Sequence, residues 1–185
     1  MSSKAKTNKF LKEAFSTGVY FLVVFLLAAF VLKFVGQRSV VDGSSMNDTL
    51  YDGESVWVNK FTYRFNDPER FDVVVFPYKY AEDTFFIKRV IGLPGETVQI
   101  LEDGSILING EVLEENYGKE VIRSDRRGTA SEPILLGENE YFVMGDNRND
   151  SMDSRYPNVG PITKDEMIGK AVFRLFPISK IGGID

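Results

Sequence analysis

The chain has 185 residues, 43% hydrophobic and 26% charged, which suits one or two globular domains. Its net charge of −5 argues against nucleic acid as a partner. Neither Cys nor His occurs, which excludes Ser-His-Asp and Cys-His catalysis within the chain, zinc sites built from those residues, and any disulfide. A catalytic base, if the chain has one, is Lys, Asp, Glu or Tyr.

Residues 1–13 are polar and carry Lys4, Lys6, Lys9 and Lys12 against the single acid Glu13. No charged residue occurs from Ala14 to Leu32, and Val19–Leu32 is nearly all apolar. As a helix, Ala14–Leu32 would be about 28 Å long, close to the hydrocarbon thickness of a bilayer. A soluble core helix would show a polar face, and this run shows almost none. Ala28-Ala29 offers the small residues on which a cleaved leader ends, but Phe30, Val31 and Leu32 carry the apolar run past them. Residues 14–35 therefore read as an uncleaved transmembrane anchor. The flanking lysines make residues 1–13 a cytoplasmic tail and put residues 36–185 outside the cell membrane. Lys33 and Arg38 fall on the far side, where Lys33 can snorkel.

Beyond Gly36 the pattern is one of short β runs rich in Val, Ile and aromatics. They are Ser55–Asn59, Asp72–Phe76, Phe85–Ile91, Thr97–Ile100, Ser105–Ile108, Ile134–Leu136, Tyr141–Met144 and Lys170–Leu175. Pro94-Gly95 suits the centre of a type II turn, and Asp103-Gly104 and Asn109-Gly110 suit hairpin turns. The one helix expected outside the anchor is short, Thr163–Ile168, with Thr163 as N-cap and Glu166 three residues on. Residues 114–133, with Arg123, Asp125, Arg126 and Arg127, read as an exposed insertion. The fold class expected is mainly β.

Three stretches carry polar chemistry. Gly43-Ser44-Ser45-Met46 sets two adjacent hydroxyls in a small-residue turn. A serine is a nucleophile only if a base takes its proton and donors hold the oxyanion; taken alone, the stretch reads as a plain Gly-Ser turn. In Phe85–Ile91, Phe86, Lys88 and Val90 share one face of a strand, and Phe85, Ile87 and Arg89 the other. Of these two adjacent cations, one can reach solvent or an acid and the other is a candidate buried lysine. Taken alone, Lys88 reads as an exposed edge-strand lysine. Gly145–Arg155 is dense in Asp, Asn, Arg and Ser. It fails as a calcium loop, because Arg148 and Ser151 stand where an acid or amide and then Gly belong. A polar loop with salt bridges is the plain reading. Gly92–Thr97 likewise lacks the lysine and spacing of a phosphate loop.

In this order behind an N-terminal anchor, the three stretches closely resemble the bacterial type I signal peptidases over nearly the whole chain. Ser45-Met46 resembles the nucleophile motif Ser-Met-x-Pro-Thr-Leu. Lys88-Arg89, followed by Gly92-Leu93-Pro94-Gly95, resembles the lysine motif. Gly145–Arg155 resembles the box Gly-Asp-Asn-Arg-x-x-Ser-x-Asp-Ser-Arg at every specified position. The resemblance implies an antiparallel β catalytic domain with a small inserted β region, here roughly residues 102–139. It implies Ser45 as nucleophile, Lys88 as general base and Ser151 as the hydroxyl that orients Lys88. Asp146, Asp153, Arg155 and Arg89 would support the site by charge pairing, and Met46 would touch substrate. No cofactor or metal is implied. The implied activity is a Ser-Lys endopeptidase that removes signal peptides from secreted preproteins after small-x-small sites such as Ala-x-Ala. The implied partners are those signal peptides, the lipid bilayer and the protein translocation machinery, with no nucleic acid.

The match departs from the family at two places. Asp48 stands where the family has Pro, and an Asx-type bond from Asp48 to a following N–H would take over the turn. Some members carry a Ser two residues before the nucleophile to complete the oxyanion hole; Gly43 has no hydroxyl. The Ser45 N–H remains one donor, and the Gly43 backbone and the Ser44 hydroxyl are both open as the second.

Overall fold

The computed structural model describes residues 2–30 and 34–184, and the chain divides after Gly36 into two units. The first holds helix α1 (Ser2–Phe30). Within it Lys12–Phe30 is long and apolar enough to cross a membrane, and its side chains are exposed throughout. The helix takes in both the polar segment expected as a tail and most of the expected anchor. Residues 31–33 of that anchor lie outside the described residues.

The second unit is built from β-strands in two sheets. The larger has eight strands: β1 (Gly36–Val40), β2 (Ser55–Asn59), β3 (Val73–Pro77), β4 (Phe85–Gly92), β9 (Glu140–Met144), β10 (Ile162–Thr163), β11 (Gly169–Phe176) and β12 (Gly182–Gly183). Their order is β1-β2-β11-β3-β4-β9-β10, with β12 paired to β11. The smaller sheet holds β5 (Thr97–Ile100), β6 (Ile106–Ile108), β7 (Glu111–Val112) and β8 (Ile134–Leu135) in the order β7-β6-β5-β8. Neighbours from β2 to β10 pair antiparallel, and so do those of the small sheet. The small sheet falls in sequence between β4 and β9, which pair with each other. It begins at Thr97, ahead of the expected insertion at 102–139.

Composition explains the central strands. In β3, Val73-Val74-Val75-Phe76 is buried on both faces, so its run is continuously apolar rather than alternating. Odd and even residues serve different cores. Val74 and Phe76 pack with Val90, Val143 and Ile162, while Val73 and Val75 pack with Val41, Met46, Leu50 and Val58. A third cluster, with Ile91, Val98, Ile100, Leu136 and Phe142, seats the small sheet. Gly92 makes that seat possible: a Cβ there would collide with Val98 and Leu136.

The turns follow their residues. Gly95 has φ 77°, and the Glu96 N–H donates to the Leu93 carbonyl, as a type II turn requires. Asn109 and Gly110 both have positive φ, joining β6 to β7 as a two-residue hairpin. Strands β7, β10 and β12 have two residues each, and β1 is largely polar, so none carries a legible β pattern. The expected helix at Thr163–Ile168 is only a 3₁₀ turn, Lys164–Glu166, closed by the Glu166 carboxylate on the Thr163 N–H at 2.7 Å. Gly169 ends it by starting β11 against the Asn59 backbone. Residues 114–133 are not uniformly exposed either. Arg123 and Asp125 face solvent, but Ile122 and Ala130 are buried in the third core cluster. These two apolar anchors fix a segment whose charge content otherwise reads as solvated.

Candidate active site

Ser45 lies in the turn between Val41 and Leu50, whose buried side chains, with Met46, pin the turn to the core. Gly43 has φ 90°, a conformation that strains any residue with a Cβ. After Ser45 the chain closes on itself: the Thr49 and Leu50 N–H groups both donate to the Met46 carbonyl, at 2.9 and 2.7 Å. This leaves the Ser45 hydroxyl half-buried, facing strand β4.

Lys88 meets it from β4. The amine Nζ is 2.7 Å from Ser45 Oγ and 2.9 Å from the Ile87 carbonyl. Lys88 is only 3% exposed, and its amine sits 4.9 Å from the centre of the Phe86 ring. Burial takes water from the charged form and lowers the pKa to about 8 from 10.5, outweighing Asp153 and Asp146, which raise it; Arg155 adds a smaller depression. At neutral to mildly alkaline pH a useful fraction of the amine is therefore a free base within hydrogen-bond reach of a hydroxyl.

Its neighbour Arg89 is also buried, so both strand cations leave water. Arg89 points to the other face and donates through Nε and one terminal nitrogen to the two oxygens of Asp146, at 2.9 and 2.8 Å. Asp146 also accepts from the Thr49 hydroxyl at 2.5 Å, tying the charge pair to the turn that carries Ser45. Arg155 and Asp153 form a second fully buried, two-pronged pair, and Asp153 accepts from the Gly145 N–H at 3.1 Å. The Asn147 N–H donates to the Ser45 carbonyl at 3.0 Å, and its side-chain amide to the Ser44 carbonyl at 3.1 Å. Gly145 packs so tightly that any Cβ would overlap both Ser151 Oγ and the Ser45 carbonyl. Buried pairs of this kind cost desolvation, which their two-pronged geometry offsets.

Ser45 and Lys88 open onto a cleft of about 360 Å³. Ser39–Ser45 form one wall and Asp83–Lys88 the other, with Asp150 and Met152 at the rim.

Comparison with known proteins decides what this arrangement belongs to. Residues 14–176 match the family described as signal peptidase, peptidase S26. The chain is 35% identical to signal peptidase I T of Bacillus subtilis (strain 168), over 97% of this chain and 92% of that one. It is 36% identical to a signal peptidase I of Bacillus amyloliquefaciens, over 97% of both. The chain belongs to the signal peptidase family, peptidase S26. It is a serine endopeptidase of the signal peptidase I type. A crystal structure of a signal peptidase I from Enterococcus faecalis V583 is 33% identical, covering 57% of this chain and 97% of that one, with a TM-score of 0.46.

Within this signal peptidase chain the structure brings Ser45, Lys88, Arg89, Asp146, Asp153 and Arg155 together around one loop. Ser151 is carried there too, against Gly145, but it does not hydrogen-bond Lys88; its buried Oγ has no partner among the described residues. Met46 is 1% exposed and packs in the core beneath the turn, so it seats the Ser45 turn rather than lining the cleft. Both open candidates for the second oxyanion donor are engaged elsewhere: the Gly43 N–H donates to Asp52 at 2.8 Å, and the Ser44 hydroxyl to Asp150 at 2.6 Å. Among the described residues Asp48 makes no Asx bond; its carboxylate accepts from the Tyr51 hydroxyl at 3.4 Å. Sequence reasoning gave no role to Thr49, Arg148 or Tyr117. Thr49 lies inside the nucleophile motif and Arg148 inside the box, so spacing could have found them; nothing in the sequence singles out Tyr117.

Proposed function

We propose that the chain is a membrane-anchored Ser-Lys endopeptidase that cuts secreted preproteins after small-x-small sites. The observation that carries this reading is the buried Lys88 amine 2.7 Å from Ser45 Oγ in a chain without His. Neutral Lys88 takes the Ser45 proton as Oγ attacks the scissile carbonyl. The Ser45 N–H, which has no hydrogen-bond partner among the described residues, donates to the oxyanion. Collapse breaks the peptide bond, and the Lys88 ammonium gives its proton to the leaving amine. Lys88 then draws a proton from water, which hydrolyses the ester on Ser45 and restores the hydroxyl.

The cleft suits an extended peptide between two backbone walls, and small side chains let that peptide lie close to Oγ. Helix α1 is the anchor, with residues 1–13 cytoplasmic and the domain from residue 36 outside. Holding enzyme and signal peptide on one membrane raises their effective concentration. Signal peptides, the bilayer and the translocation machinery that delivers preproteins are the partners. Purified protein should cleave a peptide containing Ala-x-Ala, and Ser45→Ala should abolish cleavage with the fold intact. Ser44→Ala, which removes only the exposed bond to Asp150, should lose far less. A dead Ser44→Ala beside an active Ser45→Ala would refute the assignment.

A further inference from the structure

The insertion does more than decorate the domain. Arg89 has its in-plane donors occupied by Asp146, Thr49 and the Phe71 carbonyl. One flat face of its guanidinium is covered by the Tyr117 ring, 3.7 Å from the ring centre. Tyr117 in turn packs against Phe71, with ring centres 5.0 Å apart. On either side the same segment grips the catalytic box. Glu115 pairs with Arg148, whose Nε donates to the Gly145 carbonyl at 3.1 Å. The Lys119 N–H donates to the Asp146 carbonyl at 2.9 Å. Asn149 bonds the Val121 carbonyl and the Arg123 N–H, each at 2.9 Å.

Resting on the dyad proposed above, we infer that residues 115–123 form a strap that holds the catalytic box, and that Tyr117 is a positioning residue acting on Ser45 and Lys88 through Arg89. The route is short. The Tyr117 ring excludes water from the Arg89–Asp146 pair; Asp146 holds Thr49; Thr49 closes the turn that aims Ser45. A cation held face-on by an aromatic ring in a site without water is the setting in which that contact is strongest. The Tyr117 hydroxyl makes no hydrogen bond among the described residues, so the ring carries the effect. Tyr117 does not line the cleft, so substrate binding is untouched.

The test is steady-state kinetics on the full chain with an Ala-x-Ala peptide. Tyr117→Leu should lower kcat by about tenfold with KM within about twofold, and Tyr117→Phe should stay within about twofold of the parent. The pH profile of Tyr117→Leu should also move to higher pH. The carboxylates Asp146 and Asp153 act on the Lys88 amine against Arg155, and a loosened Arg89 leaves Asp146 less compensated. Asp42, Asp83 and Asp150 in the cleft are unchanged by the substitution. If Tyr117→Leu does not fold, fluorinated phenylalanines at position 117 weaken the π face with little change of shape, and kcat should fall with each added fluorine. A kcat and pH profile indifferent to Leu or to fluorination would overturn the strap, as would a Phe variant as impaired as Leu. Ser45→Ala and Lys88→Arg, assayed in parallel, separate this from the dyad: activity in either refutes the dyad, whereas a flat series with both dead refutes only Tyr117.

Discussion

Arg89 and Asp146 clasp each other through two hydrogen bonds while both side chains are fully buried. Replacing both would be tolerable, but removing one charge strands the other in the core. Asp146→Asn should therefore cost about 3–5 kcal/mol of stability, read from the shift of the urea midpoint. It should also move the activity profile to lower pH, because Asp146 is one of the two carboxylates that hold the Lys88 proton on. A variant as stable as the parent would show that the pair is solvated in solution.

Burying Lys88 costs stability. Its pKa is about 8 folded and near 10.5 unfolded, so below pH 8 the fold carries a buried ammonium that the unfolded chain solvates. Between those values the unfolded state binds more protons, and stability rises with pH. That difference corresponds to about 3 kcal/mol. Lys88→Met should accordingly be inactive yet more stable at pH 7 by about 2–3 kcal/mol, with the advantage shrinking toward pH 10.5. Denaturant melts at pH 7 and pH 10 check the sign; an advantage that grows with pH would contradict it.

Asp48→Pro makes the chain match the family motif. The Asp48 N–H makes no hydrogen bond within the described residues, and its side chain holds only the long contact to Tyr51, so proline removes little. Activity on the Ala-x-Ala peptide should stay within about tenfold of the parent, because the loop-entropy change is under about 1 kcal/mol. Complete loss would give the Asp48 carboxylate a role of its own.

What the sequence makes legible follows from how local each signal is. Strands β2 and β5 coincide with their Val- and Ile-rich runs, because branched side chains buried on a pleated sheet leave a pattern wherever they occur. The two-residue strands β7, β10 and β12 leave none, since their pairing is decided by the neighbour. The site divides in the same way. Ser45 and Lys88 stand out once three motifs are taken together, but that Arg89 is also buried depends on Asp146 arriving from fifty-odd residues away. Tyr117 is the extreme case: its ring is placed by Phe71 and Arg89 across the fold, inside a segment whose charges suggest only solvent. Met46 shows the converse case, a residue beside Ser45 that faces the core because the turn reverses after Ser45.

The pH dependence of kcat/KM for the parent and for Lys88→Arg tests the dyad most directly. If neutral Lys88 is the base for Ser45, the parent's kcat/KM rises with pH through an apparent pKa of about 8, a macroscopic value belonging to the coupled site. Lys88→Arg is then inactive throughout, because a guanidinium stays charged at every workable pH. A Lys88→Arg enzyme that cleaves at the parent's rate, or a parent profile flat from pH 6 to pH 10, would contradict a lysine base.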